Sequence, residues 1–290
     1  MRSSCWKYLL LIIFIPLSSL AQDFSWWNDN QSWDGQSHWS TYMKLSPAFM
    51  GPNAFPIPFA ERMVKQPEFE IRYSNHSYPG EVSWDVFSML SIPIGDRASL
   101  RFQMNPLEYF QMDTVVRDER IARDEFPSGY ASGDLLVQMN ALVIGSQKTQ
   151  LLFNLGLKTA SGSQFRNGRY TDSPAYYFNL SYHRYVSIHP EIRLDFGVLM
   201  GLYVWQTYMQ NNRQNDAFLA AFSCQIDYKK VSIVSDFRGF TGYLDNGDSP
   251  LLYSIKLSKN QTRYQLFIRK QFNLHDYPYE SIQLGSKYYF

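Results

Sequence analysis

From about residue 67 onward the chain alternates with a period near two, and that pattern commits it to β-structure. The clearest stretch sets Ile192, Leu194, Phe196, Val198, Met200, Leu202 and Val204 against Arg193, Asp195, Gly197, Leu199, Gly201 and Tyr203. The same alternation runs through 82–86, 151–158, 251–258 and 263–269. One face is apolar and aromatic, while the other mixes charges, amides, glycines and some aromatics. Successive side chains of a strand point to opposite sides, so each segment has an apolar wall and a polar one. Aromatic residues make up 17% of the chain, yet its mean hydropathy is −0.33. After Gln22 no run approaches the roughly 20 apolar residues that a spanning helix needs. Abundant aromatic surface without long apolar runs is the pattern of a transmembrane β-barrel, whose residues alternate between lipid and lumen.

The segments fall at 67–77, 81–94, 97–111, 130–146, 150–161, 174–187, 189–206, 215–228, 229–243, 248–259, 262–273 and 280–290, which makes twelve. Short joins at 95–96, 146–148, 188, 228–229 and 260–261 alternate with longer ones at 112–129, 162–173, 207–214, 244–247 and 274–279. Such alternation separates periplasmic turns from extracellular loops, and an even strand count returns both barrel ends to the periplasm. A soluble β-sandwich has no reason for this two-sided asymmetry. The expected fold class is therefore all-β, an antiparallel transmembrane β-barrel of about 12 strands over residues 67–290. Residues 112–129, 162–173 and 207–214 are expected outside the cell.

The first 21 residues read as a signal peptide. Arg2 and Lys7 form a basic start, 8–15 an apolar core, and Ser18, Ser19 and Ala21 a small-residue cleavage site. Of 27 basic and 26 acidic residues, removal of this segment leaves 25 against 26. That balance argues against nucleic acid as a partner. Only Cys224 survives processing, so no intramolecular disulfide is expected. Residues 22–66 differ from the rest. Trp26, Trp27, Trp33 and Trp39 lie among polar residues, and Pro52, Pro56 and Pro58 argue against a central strand. This extension is expected to plug the lumen or pack at its periplasmic mouth. Its tryptophans either anchor it to the barrel or stack on sugar rings.

Local motifs for chemistry are sparse. His38, His76, His183, His189 and His275 show no metal-ligand spacing, and neither a metal nor another cofactor is expected. His76 beside Ser74 and Ser77 is the best catalytic candidate, but adjacent strand residues face opposite ways, so Ser74 is the better partner. The 112–129 loop carries Arg117, Asp118, Glu119, Arg120, Arg123, Asp124 and Glu125, a self-paired face or an inward constriction. Its four acids lack the glycine spacing of a calcium loop. The polar face of the barrel says more. The cations expected along a solute path are Arg72, Arg97, Arg101, Lys158, Arg193, Arg238, Lys256, Arg263, Arg269 and Lys287. Lys256, Arg263, Arg269 and Lys287 form a basic wall, which Asp134, Asp227 or Asp236 could partly neutralise.

Two resemblances add to this reading. Ile282, Leu284, Tyr288 and the terminal Phe290 resemble the last-strand assembly signal of outer-membrane barrels, which implies the barrel assembly machinery as a partner. Residues 45–54, Gly133-Asp134-Leu135, 156–162 and 169–174 resemble outer-membrane barrel proteins of Bacteroidota. They resemble aromatic-catabolism-type transporter barrels more loosely. The resemblance implies a Gram-negative outer membrane, with its lipid and lipopolysaccharide as surroundings, and carries no activity. Three functions follow as expectations: a narrow channel or transporter for small hydrophilic solutes, anionic ones among them, a lipid-directed hydrolase, or a structural barrel in an envelope complex.

Overall fold

The computed structural model describes residues 23–146 and 148–290, so the expected signal peptide over 1–21 lies outside the described residues. Among the described residues thirteen strands form one antiparallel sheet: β1 (Glu68–Tyr78), β2 (Glu81–Ile94), β3 (Ala98–Met112), β4 (Ser128–Ala131), β5 (Leu136–Gly145), β6 (Thr149–Lys158), β7 (Ala175–His189), β8 (Ile192–Met209), β9 (Asn212–Tyr228), β10 (Val231–Gly242), β11 (Leu251–Asn260), β12 (Tyr264–His275) and β13 (Glu280–Tyr289). Each pairs with its neighbour in sequence, except that β5 pairs with β3 and not with β4, and β1 also pairs with β13, Tyr73 opposite Leu284 and His76 opposite Ser281. The sheet thereby closes into a barrel of twelve strands with β4 as an extra piece. Closure leaves none of the twelve barrel strands as an edge of the sheet, which is the condition for strands to cross hydrocarbon.

The extra piece has a local cause. Sequence alternation predicts one strand over 130–146, but β4 pairs with 108–111 of β3 and β5 with 98–103. Between these ladders lies Pro106, which has no N–H to donate, and β2 bulges opposite it, between Val86 and Ser88. A second difference concerns the 207–214 loop. There β8 and β9 run on to Met209 and Asn212, so the long loop is replaced by a tall hairpin with a two-residue tip.

The short connections that follow β2, β5, β7, β9 and β11 share one end of the barrel with the start of β1 and the end of β13. The other end, the loop end, carries the long 113–135 and 159–174 connections. Outward residues are apolar and exposed, among them Ile71, Leu180, Met200, Leu257, Leu266 and Leu284. Aromatic stacks edge this band towards the loop end, with Trp84 and Tyr109 centroids 5.9 Å apart and Phe237 and Tyr253 4.6 Å apart. Tyr228, Tyr264, Tyr288 and Phe290 edge it at the other end. An apolar belt between aromatic girdles is the surface of a membrane barrel. The inward face is the reverse: Glu68, Glu70, His76, Asp85, Arg101, Asn154, Arg238 and Arg269 are all buried.

Candidate functional site in the barrel lumen

The chain's own N-terminal segment occupies part of the lumen. Residues 24–42 cap the loop end, not the short-turn mouth that was the alternative from sequence. Residues 43–63 run down through the barrel. Trp27 donates to Ile121 O (3.2 Å), Trp205 Nε1 to Leu45 O (2.9 Å), and Tyr277 to Pro52 O (2.8 Å). Lower down, Met63 N donates to Gln150 Oε1 (3.2 Å), close to the short-turn end. The chain thus passes in at the loop end and leaves at the short-turn end, where it becomes β1. Pro52, Pro56 and Pro58 lack donors, so this stretch crosses as extended chain and adds no strand to the wall.

The cap is held by aromatic rings around a cation. The Arg123 guanidinium lies 3.8 Å from the Phe24 ring centroid, 4.9 Å from Trp27 and 5.2 Å from Trp39, while Arg117 lies over Trp26 (4.4 Å). Three of the four tryptophans therefore anchor the extension to the 113–127 loop through cation–π contacts. That loop folds inward over the mouth through the short helix α1 (Thr114–Glu119). Its acids serve separate partners: Asp118 pairs with Arg117 (2.7 Å), Glu119 accepts from Tyr78 (2.7 Å) and Asp124 from Asn167 (2.7 Å).

Below the cap lies a buried ionic seal. Arg169, fully enclosed, donates from Nε to Glu108 (2.7 Å) and from Nη1 to Glu81 (2.5 Å). Arg120 also pairs with Glu81 (2.7 Å), and Tyr279 donates to the same carboxylate (3.0 Å). Tyr170 donates to Glu108 (2.6 Å). Burial, with the Glu108 carboxylate beside it, pushes the Tyr170 phenol well above its usual range and keeps it a donor. From the plug, Asn53 donates to both Glu108 and Asp85 (2.9 Å each). Close passage of the plug requires Gly51, since a Cβ there would sit 2.7 Å from the Arg169 carbonyl oxygen. Buried charges are tolerable only when paired in this way.

Beneath the seal the described residues enclose two cavities that open towards each other's lining. Phe59 and Glu61 of the plug stand in the walls of both. The upper cavity is lined by Arg72, Arg101, Arg238, Lys256, Arg269 and Lys287 against three carboxylates, Glu61, Glu70 and Asp134. The lower one sets Arg62, Lys65, Arg193, Lys256, Arg269 and Lys287 against Glu61, Asp195, Asp227 and Asp236. Both walls therefore carry an excess of positive charge. Glu61 pairs with Arg101, Arg62 with Asp195, Lys287 with Glu68 (3.0 Å) and Glu70 (3.8 Å), and Arg238 with Asp236 (2.5 Å).

Of the ten cations expected to line a path, seven thus stand in cavity walls. Lys158 does not: it is buried against Asp134 (2.7 Å), Thr171 (2.7 Å) and the Ser173 carbonyl (3.1 Å). Arg97 and Arg263 are exposed in short turns, because β3 and β12 start one residue after them, at Ala98 and Tyr264. The missed groups are acids. Glu68 and Glu70 share the inward face of Arg72 and were legible by parity; Glu61 lies in the aperiodic extension and gave no signal.

His76 pairs with neither Ser74 nor Ser77. Its Nε2 lies 2.6 Å from Asp85 and its Nδ1 2.7 Å from Ser281, the residue opposite it on β13. The order Ser281–His76–Asp85 is that of a nucleophile relay, but Ser281 is enclosed and only His76 reaches the upper cavity. This network ties β1 to β2 and β13. His76→Ala is expected to lower the melting temperature by leaving Asp85 less paired, with no phospholipid or lipid A ester turnover before or after; hydrolysis lost on that change would make the site catalytic.

No protein-family model matches the sequence, and neither does any curated protein. Among solved structures the NanC porin superposes with a TM-score of 0.51 at 9% identity, over 77% of this chain and 100% of that one. The KdgM porin gives 0.48 at 12%, over 76% and 99%, and LpxR from Salmonella typhimurium 0.45 at 9%, over 76% and 100%. The fold is that of an outer-membrane barrel.

Proposed function

We propose that this chain is a gated outer-membrane channel for small anionic solutes, closed in the present conformation by its own N-terminal segment. The observation that carries the reading is the cationic excess on both sides of the Phe59–Glu61 partition, in a lumen that retains room for a solute. Low-dielectric walls focus such a field and raise the local anion concentration. The outward apolar belt with its girdles favours a membrane as the surroundings, and the porin likeness in fold agrees with transport. The cap and seal occupy the loop end, where a solute from outside would arrive, so opening requires the plug to shift.

Planar-bilayer recording tests this. Open channels should favour anions at low ionic strength, and the preference should fade towards 1 M salt, where the screening length is about 3 Å. Changing Lys256 and Arg269 together to Gln should reduce or reverse the preference while leaving assembly intact. Cation preference, or no conductance at any salt even with the plug loosened, would overturn the proposal.

A further inference from the structure

Lys256 and Arg269 face each other across the β11–β12 pairing, both on the lumen side. Among the described residues neither has a carboxylate within 4 Å. Arg269 donates from Nη1 to the Gln283 amide oxygen (3.3 Å), and its guanidinium lies 4.7 Å from the Phe59 ring centroid. Its Nε has no partner, although the residue is only 8% exposed. The Lys256 ammonium makes no hydrogen bond among the described residues and lies 5.4 Å from the Phe267 ring centroid. Like charges directly opposite on paired strands repel, and the interior makes that repulsion stronger.

The protein's own acids relieve it only in part, from beyond 4 Å, because each is engaged closer at hand. Glu61 is engaged by Arg101, Glu70 by Arg72 (3.4 Å) and Lys287, and Asp236 by Arg238 and Ser254. Two positive charges therefore converge where the two cavities adjoin, since both residues line both cavities. Their backing is rigid. Phe267 packs over Gly285, its partner across β12–β13, where a Cβ would lie 2.2 Å from the ring.

We infer that Lys256 and Arg269 form an oxyanion-binding site, which takes the carboxylate or phosphate group of a small solute at the junction of the two cavities. The inference rests on reading the lumen as a solute path. The Arg269 guanidinium supplies planar donors suited to two oxygens, and the Lys256 ammonium adds a freely oriented third. Charge-assisted bonds in a partly dry lumen then replace the repulsion with attraction.

The test uses the full chain in detergent micelles at low ionic strength, with inorganic phosphate, glucuronate and neutral glucose as probes. Calorimetric titration should show saturable binding of at least one anion and none of glucose. The melting temperature should rise with anion concentration, as binding to the folded state requires. Lys256→Gln or Arg269→Gln alone should weaken binding about tenfold, and the pair should abolish it. The doubly changed protein should melt no lower than the original without anion, since repulsion is relieved; a structural ion-pair role predicts a lower melt. Lys229→Gln, in an exposed turn, should leave binding unchanged. Which anion binds distinguishes carboxylate from phosphate as the group recognised. No saturable anion binding, or equal binding after the double change, would overturn the site. Anion-selective conductance without such binding would remove the site and leave the channel; binding without conductance would do the reverse.

Discussion

Arg169→Met is expected to produce the largest loss of stability available from a single change in the lumen. Arg169 is the common counter-charge of Glu81 and Glu108, both fully enclosed. Arg120 remains for Glu81, but Glu108 keeps only the Tyr170 hydroxyl and the Asn53 amide. Removing one partner of a buried pair leaves an uncompensated charge and costs about 3–5 kcal/mol. The change should appear as a lower unfolding temperature in micelles and a lower temperature of heat-modified gel migration. Adding Glu108→Gln to Arg169→Met should recover much of the loss, because a neutral amide does not need the guanidinium. An unaltered melt after the single change would show that the cluster is not what seals this end of the barrel.

That seal was not legible in the sequence, although the wall that carries it was. Period two assigns a face to each strand residue, so the inward placement of Arg72, Arg101, Arg238, Lys256, Arg269 and Lys287 followed from parity alone. It cannot assign partners. Arg169 meets Glu81 and Glu108 across 88 and 61 residues of sequence, from a loop with no period. Likewise, parity carried Arg97 and Arg263 past the ends of their strands, and the divided β4 and β5 depended on Pro106 in the neighbouring strand. The plug was legible as non-strand from its prolines and tryptophans, but its path down the lumen is set by tertiary contacts such as Trp205 to Leu45.

Loosening the plug should raise conductance more than any change in the wall. Its lower part is held by two ion pairs that face the cavities, Glu61 with Arg101 and Arg62 with Asp195, the second reinforced by a 3.1 Å bond from Arg62 Nη2. Glu61 and Arg62 are partly open to the lumen, so solvent screening limits each pair to about 1 kcal/mol or less. Together, Glu61→Gln and Arg62→Gln should shift the closed–open balance by about tenfold in single-channel open time. Glu61→Gln alone should move the balance the same way by less, since Arg62 still holds Asp195. If the double change leaves conductance as it was, the plug is a fixed part of the wall and the lumen does not open by this route.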